Sequence, residues 1–101
     1  MAFVLQHRES GQLYTCLLIN TYQLPYYGTK FWPVQEEAEQ EKQEFLAGQE
    51  AANAADWAVI ELEEAKLKTA NVKLRNDPSI RIYWNTLQQT FHVEREDGSS
   101  C

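Results

Sequence analysis

Residues 2–19, AFVLQHRESGQLYTCLLI, carry the reading on which the fold turns. Residues 2–7 read as a strand, with Phe3, Leu5 and His7 on one face and Val4 and Gln6 on the other. Ser10-Gly11 follows as a tight hairpin signal, because glycine accepts the positive φ that such turns require. Residues 12–19, QLYTCLLI, then read as the returning strand. A two-residue loop at Ser10-Gly11 sets the register. Glu9 faces Gln12, His7 faces Tyr14, Leu5 faces Cys16 and Phe3 faces Leu18. These residues form the expected core face of the hairpin.

Beyond the hairpin, residues 20–33, NTYQLPYYGTKFWP, read as a connector punctuated by Pro25 and Gly28. Lys30-Phe31-Trp32 adds either a short strand or a pinned loop. Pro33 suits the first turn of a helix, where its missing N–H costs nothing. A helix over 34–49 follows, with Val34, Ala38, Glu41 or Lys42, Phe45 and Leu46 at helical spacing and Gly48 at its end. Residues 49–55 read as a frayed end or loop. Residues 56–62, DWAVIEL, alternate as a strand, with Trp57 and Val59 opposed to Ala58, Ile60 and Leu62.

Residues 63–75 fit either a helix or a strand, and the charges favour the helix. Glu63 and Glu64 stand at its start and Lys73 and Arg75 at its end, as the helix dipole prefers. Leu67, Ala70 and Leu74 then share a face, and Asn76-Asp77-Pro78 stops the helix. Residues 79–84 predict a strand with Ile80, Ile82 and Trp84 on one side. Thr90 to Glu94 predicts the last strand.

The expected order is therefore β-β-α-β-α-β-β. It implies an α+β two-layer sandwich, a small antiparallel or mixed sheet with both helices packed on one face. One domain over residues 1–95 and a disordered tail at 96–101 account for a chain of 101 residues, too short for two cores.

Composition narrows the function classes. The net charge of −6 argues against a protein that coats DNA. No apolar run approaches the roughly 18–20 residues of a membrane span, and MAFVLQHRESG has no secretory pattern. Cys16 and Cys101 cannot build a disulfide framework. A cytoplasmic setting is the expectation, with Cys16 a small apolar core residue.

Charge is polarised along the chain. Residues 34–64 carry ten acids against Lys42 alone, whereas 65–93 carry Lys66, Lys68, Lys73, Arg75 and Arg81 against Asp77. A solvated acidic face explains the first block, and a patch that steers an oppositely charged partner is the functional alternative.

Catalytic and metal-binding patterns are weak. The only histidines are His7 and His92. His7 and Cys16 can share a strand face, but they do not face each other, and an apolar core thiol ionises poorly. His92 alternates to the outside between Phe91 and Val93. Glu37 and Glu41 stand one turn apart, as do Glu36 and Gln40, without CxxC, HxxxH or EF-hand spacing. Glycines at 11, 28, 48 and 98 make no phosphate loop. No cofactor, metal or small-molecule substrate is expected. A shallow carboxylate site at Glu61 or Glu63 is the enzymatic reading.

Aromatic residues are the surplus feature, at 12% of the chain with tryptophans at 32, 57 and 84. The primary expectation is a small non-catalytic interaction or regulatory protein. Its partner is another protein or a second copy of itself, and its candidate surface is Tyr22, Tyr26, Tyr27, Lys30 and Trp32 in the connector. The alternative is single-stranded nucleic-acid binding, with Lys66, Lys68, Lys73, Arg75 and Arg81 on phosphates and Tyr83 beside Trp84 stacking bases.

Overall fold

A computed structural model of the chain describes residues 1–48 and 54–95. In chain order the elements are β1 (Ala2–His7), β2 (Thr15–Ile19), β3 (Pro25–Thr29), β4 (Phe31–Trp32), α1 (Gln35–Ala47), a single 3-10 turn (Ala54–Asp56), β5 (Trp57–Leu62), α2 (Glu64–Leu74), β6 (Ile80–Asn85) and β7 (Thr90–Arg95). The protein is a mixed α+β globule. The connector holds two strands, β3 and β4, that the sequence reading counts as loop or leaves open. The proposed tail at 96–101 and most of the 49–55 loop lie outside the described residues.

β1 is the centre. It pairs antiparallel with β5 along its whole length, with Val4 opposite Ile60 and Gln6 opposite Ala58. On its other edge Phe3 and Val4 pair with Trp32 and Phe31 of β4. Strand side chains alternate between faces, and here both faces are buried. Ala2 and Val4 join a core with Leu13, Tyr27, Leu62, Leu67, Ala70, Leu74, Ile80, Ile82 and Trp84. Leu5 joins a second core with Trp32, Ala38, Leu46 and Trp57, against which Phe3, Tyr14, Phe45 and Val59 pack.

This division corrects the expected helix arrangement. α2 contributes Leu67, Ala70 and Leu74 to the first core, and α1 contributes Ala38 and Leu46 to the second. The helices therefore cover opposite faces of the β4-β1-β5 sheet rather than one shared face. The reason lies in β1: AFVL is apolar at consecutive positions, so each face needs its own cover. Each buried Val- or Leu-sized side chain contributes about 1.5–3 kcal/mol relative to exposure.

The register of the first hairpin also differs from the expectation. Gln6 bridges to Leu13, the His7 N–H donates to the Gln12 carbonyl at 2.8 Å, and the Tyr14 N–H donates to the Leu5 carbonyl at 2.9 Å. Leu5 thus faces Tyr14, not Cys16. The turn spans four residues, Arg8 to Gly11, and Gly11 sits at φ 79°. His7 Nδ1 accepts the Glu9 and Ser10 N–H groups. Arg8 is drawn away to the 3-10 turn, donating through its backbone N–H to Asp56 O and through Nε to Ala55 O, both at 2.8 Å. Beyond Tyr14 the chain leaves β1, because β4 already occupies the edge at Phe3 and Val4. Residues 12–19 are therefore two short segments. Gln12–Tyr14 connects β1 to β6 through the Gln12–Tyr83 bridge, and β2 turns away to pair with β3.

The remaining elements follow the sequence reading closely. α1 begins one residue after its N-cap Val34, so Pro33 precedes the helix rather than opening it. Two charged residues on its inner stripe finish the core boundary. Lys42 Nζ donates to the Trp57 carbonyl at 2.7 Å, and Glu41 Oε1 accepts the Trp32 Nε1–H at 3.2 Å. α2 is capped at its C-terminus by Arg75, which together with Asn76 adopts left-handed backbone at φ 56°. β6 and β7 form a hairpin with Ile82 opposite Val93.

Candidate interaction surface

The β2–β3 hairpin is an arm with one closed edge and one open edge. Its register places Cys16 opposite Gly28, Leu17 opposite Tyr27 and Leu18 opposite Tyr26. In an antiparallel pair, hydrogen-bonded and non-hydrogen-bonded pairs alternate. The Tyr27 N–H donates to Asn76 Oδ1 at 2.6 Å and the Thr29 N–H to Asn71 Oδ1 at 2.9 Å. Both donors therefore point away from β2, toward α2 and the residue just past its end. Gly28 and Tyr26 must then be the residues bonded to β2, through Cys16 and Leu18. The backbone groups of Thr15, Leu17 and Ile19 consequently point outward, and no strand among the described residues pairs with them.

The open edge is apolar. Leu17 is 72% exposed, Ile19 62%, Leu24 59% and Tyr22 81%. The turn that carries Tyr22 and Leu24 is held by Asn20, whose Oδ1 accepts the N–H of both residues at 2.8 and 3.0 Å. Gln23 completes the turn at φ 62°. Residues 10–29 contain no charged side chain, in a chain carrying a formal −6. That uncharged run was the sequence signal for Leu17, Ile19 and Leu24, which aromatic counting passes over.

The five candidate residues of the connector separate. Tyr22 is exposed on the turn. Tyr26 is half-buried and lines a groove of about 320 Å³ with Phe31, Leu67 and Lys68. Tyr27 and Trp32 are 8% and 4% exposed, so both are core residues unable to present a surface. Tyr27 anchors the arm, its hydroxyl bonded to Thr15 Oγ1 and accepting from Arg81 Nη1 at 3.3 Å. Trp32 stands edge-on to Phe45. Lys30 Nζ lies 4.9 Å from the Trp32 ring centre and 5.3 Å from that of Phe45.

The basic candidates do not converge. At about 100° per residue, Lys66 and Lys68 point about 200° apart around α2. Lys66 lies 6.0 Å from the Trp84 ring. Lys68, Lys73 and Arg75 are exposed. Arg81 turns inward, donating to the Pro78 carbonyl at 2.7 Å as well as to Tyr27. Tyr83 sits 5.9 Å from the His92 ring, in a groove of about 680 Å³ between the Arg8–Gly11 turn and the β6–β7 hairpin.

His7 and His92 serve local structure. His7 packs edge-on to Trp57 at 5.2 Å while its Nδ1 holds the turn. Cys16 lies on the arm opposite Gly28, so it shares no strand pair with His7. Burial pushes its thiol above the ordinary value, with Lys30 pulling partly the other way. Tyr14 is likewise raised, mainly by burial. His92 Nε2 meets Glu94 Oε2 at 2.8 Å on the exposed face. Glu61 and Glu63 are exposed at the margin of a shallow pocket with Lys66. Among the described residues no three metal-ligating side chains cluster, and no helix is long and apolar enough to cross a membrane. No family model, curated protein or solved structure matches the chain.

Proposed function

We propose that this chain is a small, non-catalytic interaction protein of the cytoplasm whose docking surface is the β2–β3 arm. The observation that carries the reading is the open edge of β2, with exposed Leu17, Ile19, Tyr22 and Leu24 beside unpaired backbone groups. An exposed strand edge offers main-chain hydrogen bonds to an extended segment, and flanking apolar side chains add selectivity. The surface differs from the aromatic connector in its members. Tyr22 stays on it, Tyr27 anchors it from within, Trp32 belongs to the separate core beneath α1, and the aliphatic residues of β2 join it.

Site-specific photo-crosslinking tests this. A photoreactive phenylalanine at position 17 or 22 is compared in cells with one at Gln43, on the exposed side of α1. Protein adducts at 17 and 22 in excess over 43 support the reading. Equal yields at all three positions, or none, overturn it. Adducts to nucleic acid from probes at Lys68 and Lys73 transfer the function to the basic side of α2.

A further inference from the structure

We infer that the strand received by the β2 edge is β2 of a second copy, paired antiparallel about a two-fold axis through Leu17. The inference rests on the docking reading above and names its partner. Four observations support it.

The first is backbone phase. The outward residues of β2 are Thr15, Leu17 and Ile19, and a partner strand must offer its own outward groups to meet them. With Leu17 facing Leu17 of the second copy, Thr15 faces Ile19 and Ile19 faces Thr15. Every outward residue then meets an outward residue, in about six backbone hydrogen bonds. The second is the lack of protection. Edge strands are normally blunted by a charge, a proline or a bulge, and TCLLI pairs in continuous register with β3 and holds none of these. The other edge of the same arm is closed, by Asn71 and Asn76 on β3.

The third is charge. Two copies each at −6 repel, yet residues 10–29 are uncharged, so β2 and its turn bring no charge of their own to the contact. The charged side chain that lines a groove with Leu18 and Ile19 is Lys30, a cation rather than one of the acids. The fourth is the side-chain arrangement. In this register Leu17 and Ile19 of both copies fall on one face, extending the two exposed aliphatic residues into a strip shared across the axis.

Sedimentation equilibrium of the full chain over a range of concentrations is the test. The wild type is expected to show a monomer–dimer equilibrium. Leu17→Lys sets two ammonium groups directly opposite each other, and it is expected to weaken association about tenfold or more. Its fold is checked by circular dichroism, and Leu17 is exposed enough to tolerate the change. The register is read separately with Leu18→Cys in a Cys101→Ser background. Cys16 of one copy then faces the introduced thiol at position 18 of the other. Diamide, taking one hydrogen from each thiol, is expected to give a disulfide dimer on non-reducing gels that Leu17→Lys suppresses. A monomer at all concentrations overturns the self-pairing, as does a dimer indifferent to Leu17→Lys. If such a monomer still gives protein adducts from position 22, the docking reading stands and only the partner changes. If it gives none, both fall.

Discussion

Asn76 Oδ1 accepts the backbone N–H of Tyr27 at 2.6 Å, across 49 residues of sequence. With Asn71 doing the same for Thr29, two side chains take the place of a neighbouring strand along β3. They dock the arm onto α2 and the turn that follows it and, among the described residues, leave β2 as its open side. Removing the acceptor strands a half-buried donor, at a cost of about 1–3 kcal/mol. Asn76→Ala also places alanine at φ 56°, about another 1 kcal/mol. Urea denaturation is expected to show a loss of about 2–4 kcal/mol for Asn76→Ala. Asn76→Asp keeps the acceptor and tolerates the left-handed backbone, so it is expected to recover most of that loss.

Trp32 and Tyr22 occupy the same connector and should behave in opposite ways. Trp32 is buried against Phe45, with its indole N–H on Glu41. Trp32→Ala is expected to cost about 3–5 kcal/mol, a large share of the roughly 5–10 kcal/mol that holds a chain this size. Tyr22→Ala, at an exposed turn position, is expected to stay within about 0.5 kcal/mol. Thermal melts followed by near-ultraviolet circular dichroism compare them. Lost association in the Trp32 variant therefore reports unfolding, whereas the Tyr22 variant reports the surface.

Gly28 is required for space rather than for φ. A Cβ there would lie 2.8 Å from Tyr26 Cε2 and 3.2 Å from Asn71 Oδ1. The Tyr26 ring can swing aside, but Asn71 must give by a few tenths of an ångström while it holds the Thr29 N–H at 2.9 Å, which strains that bond. Gly28→Ala is expected to cost about 1–3 kcal/mol. In a double-mutant cycle with Tyr26→Ala, part of that cost should be recovered, and the remainder reports the displacement of Asn71.

Asp77 gives the fold an acid limb. Its carboxyl is held below the ordinary 3.8, chiefly by the Ser79 hydroxyl at 2.7 Å and Ser79 N–H at 2.9 Å, with Arg95 adding to it. A depressed folded-state pKa means stability that is present above the unfolded value and lost as pH falls through the folded one. Urea midpoints of the wild type should therefore fall below about pH 4 more steeply than those of Asp77→Asn. Parallel curves would show that Asp77 is not the group responsible.

The Cys16 thiol, raised above its ordinary 9.0 mainly by burial, should react sluggishly. In a Cys101→Ser background, alkylation by iodoacetamide near neutral pH is expected to run at least about tenfold slower than in urea-unfolded chain. Its rate should continue to climb above about pH 10, where the unfolded thiol has levelled off.

Local pattern decided most elements. Apolar positions at Leu67, Ala70 and Leu74 mark the buried face of α2, and Ile80, Ile82 and Trp84 mark that of β6, because side-chain period is a property of the backbone alone. Apolar character and charge also placed α1 and β5. Tertiary structure decided where those elements go. The register of the first hairpin shifted because Arg8 is drawn to the 3-10 turn and β4 takes the edge beyond Leu5. The helices took opposite faces because β1 is buried on both. Among the aromatics, Trp32 and Tyr27 are core and Tyr22 is surface, a distinction composition cannot make. The open edge of β2 depends on the same kind of contact: Asn71 and Asn76, more than forty residues away, cover one side of the arm and leave the other bare.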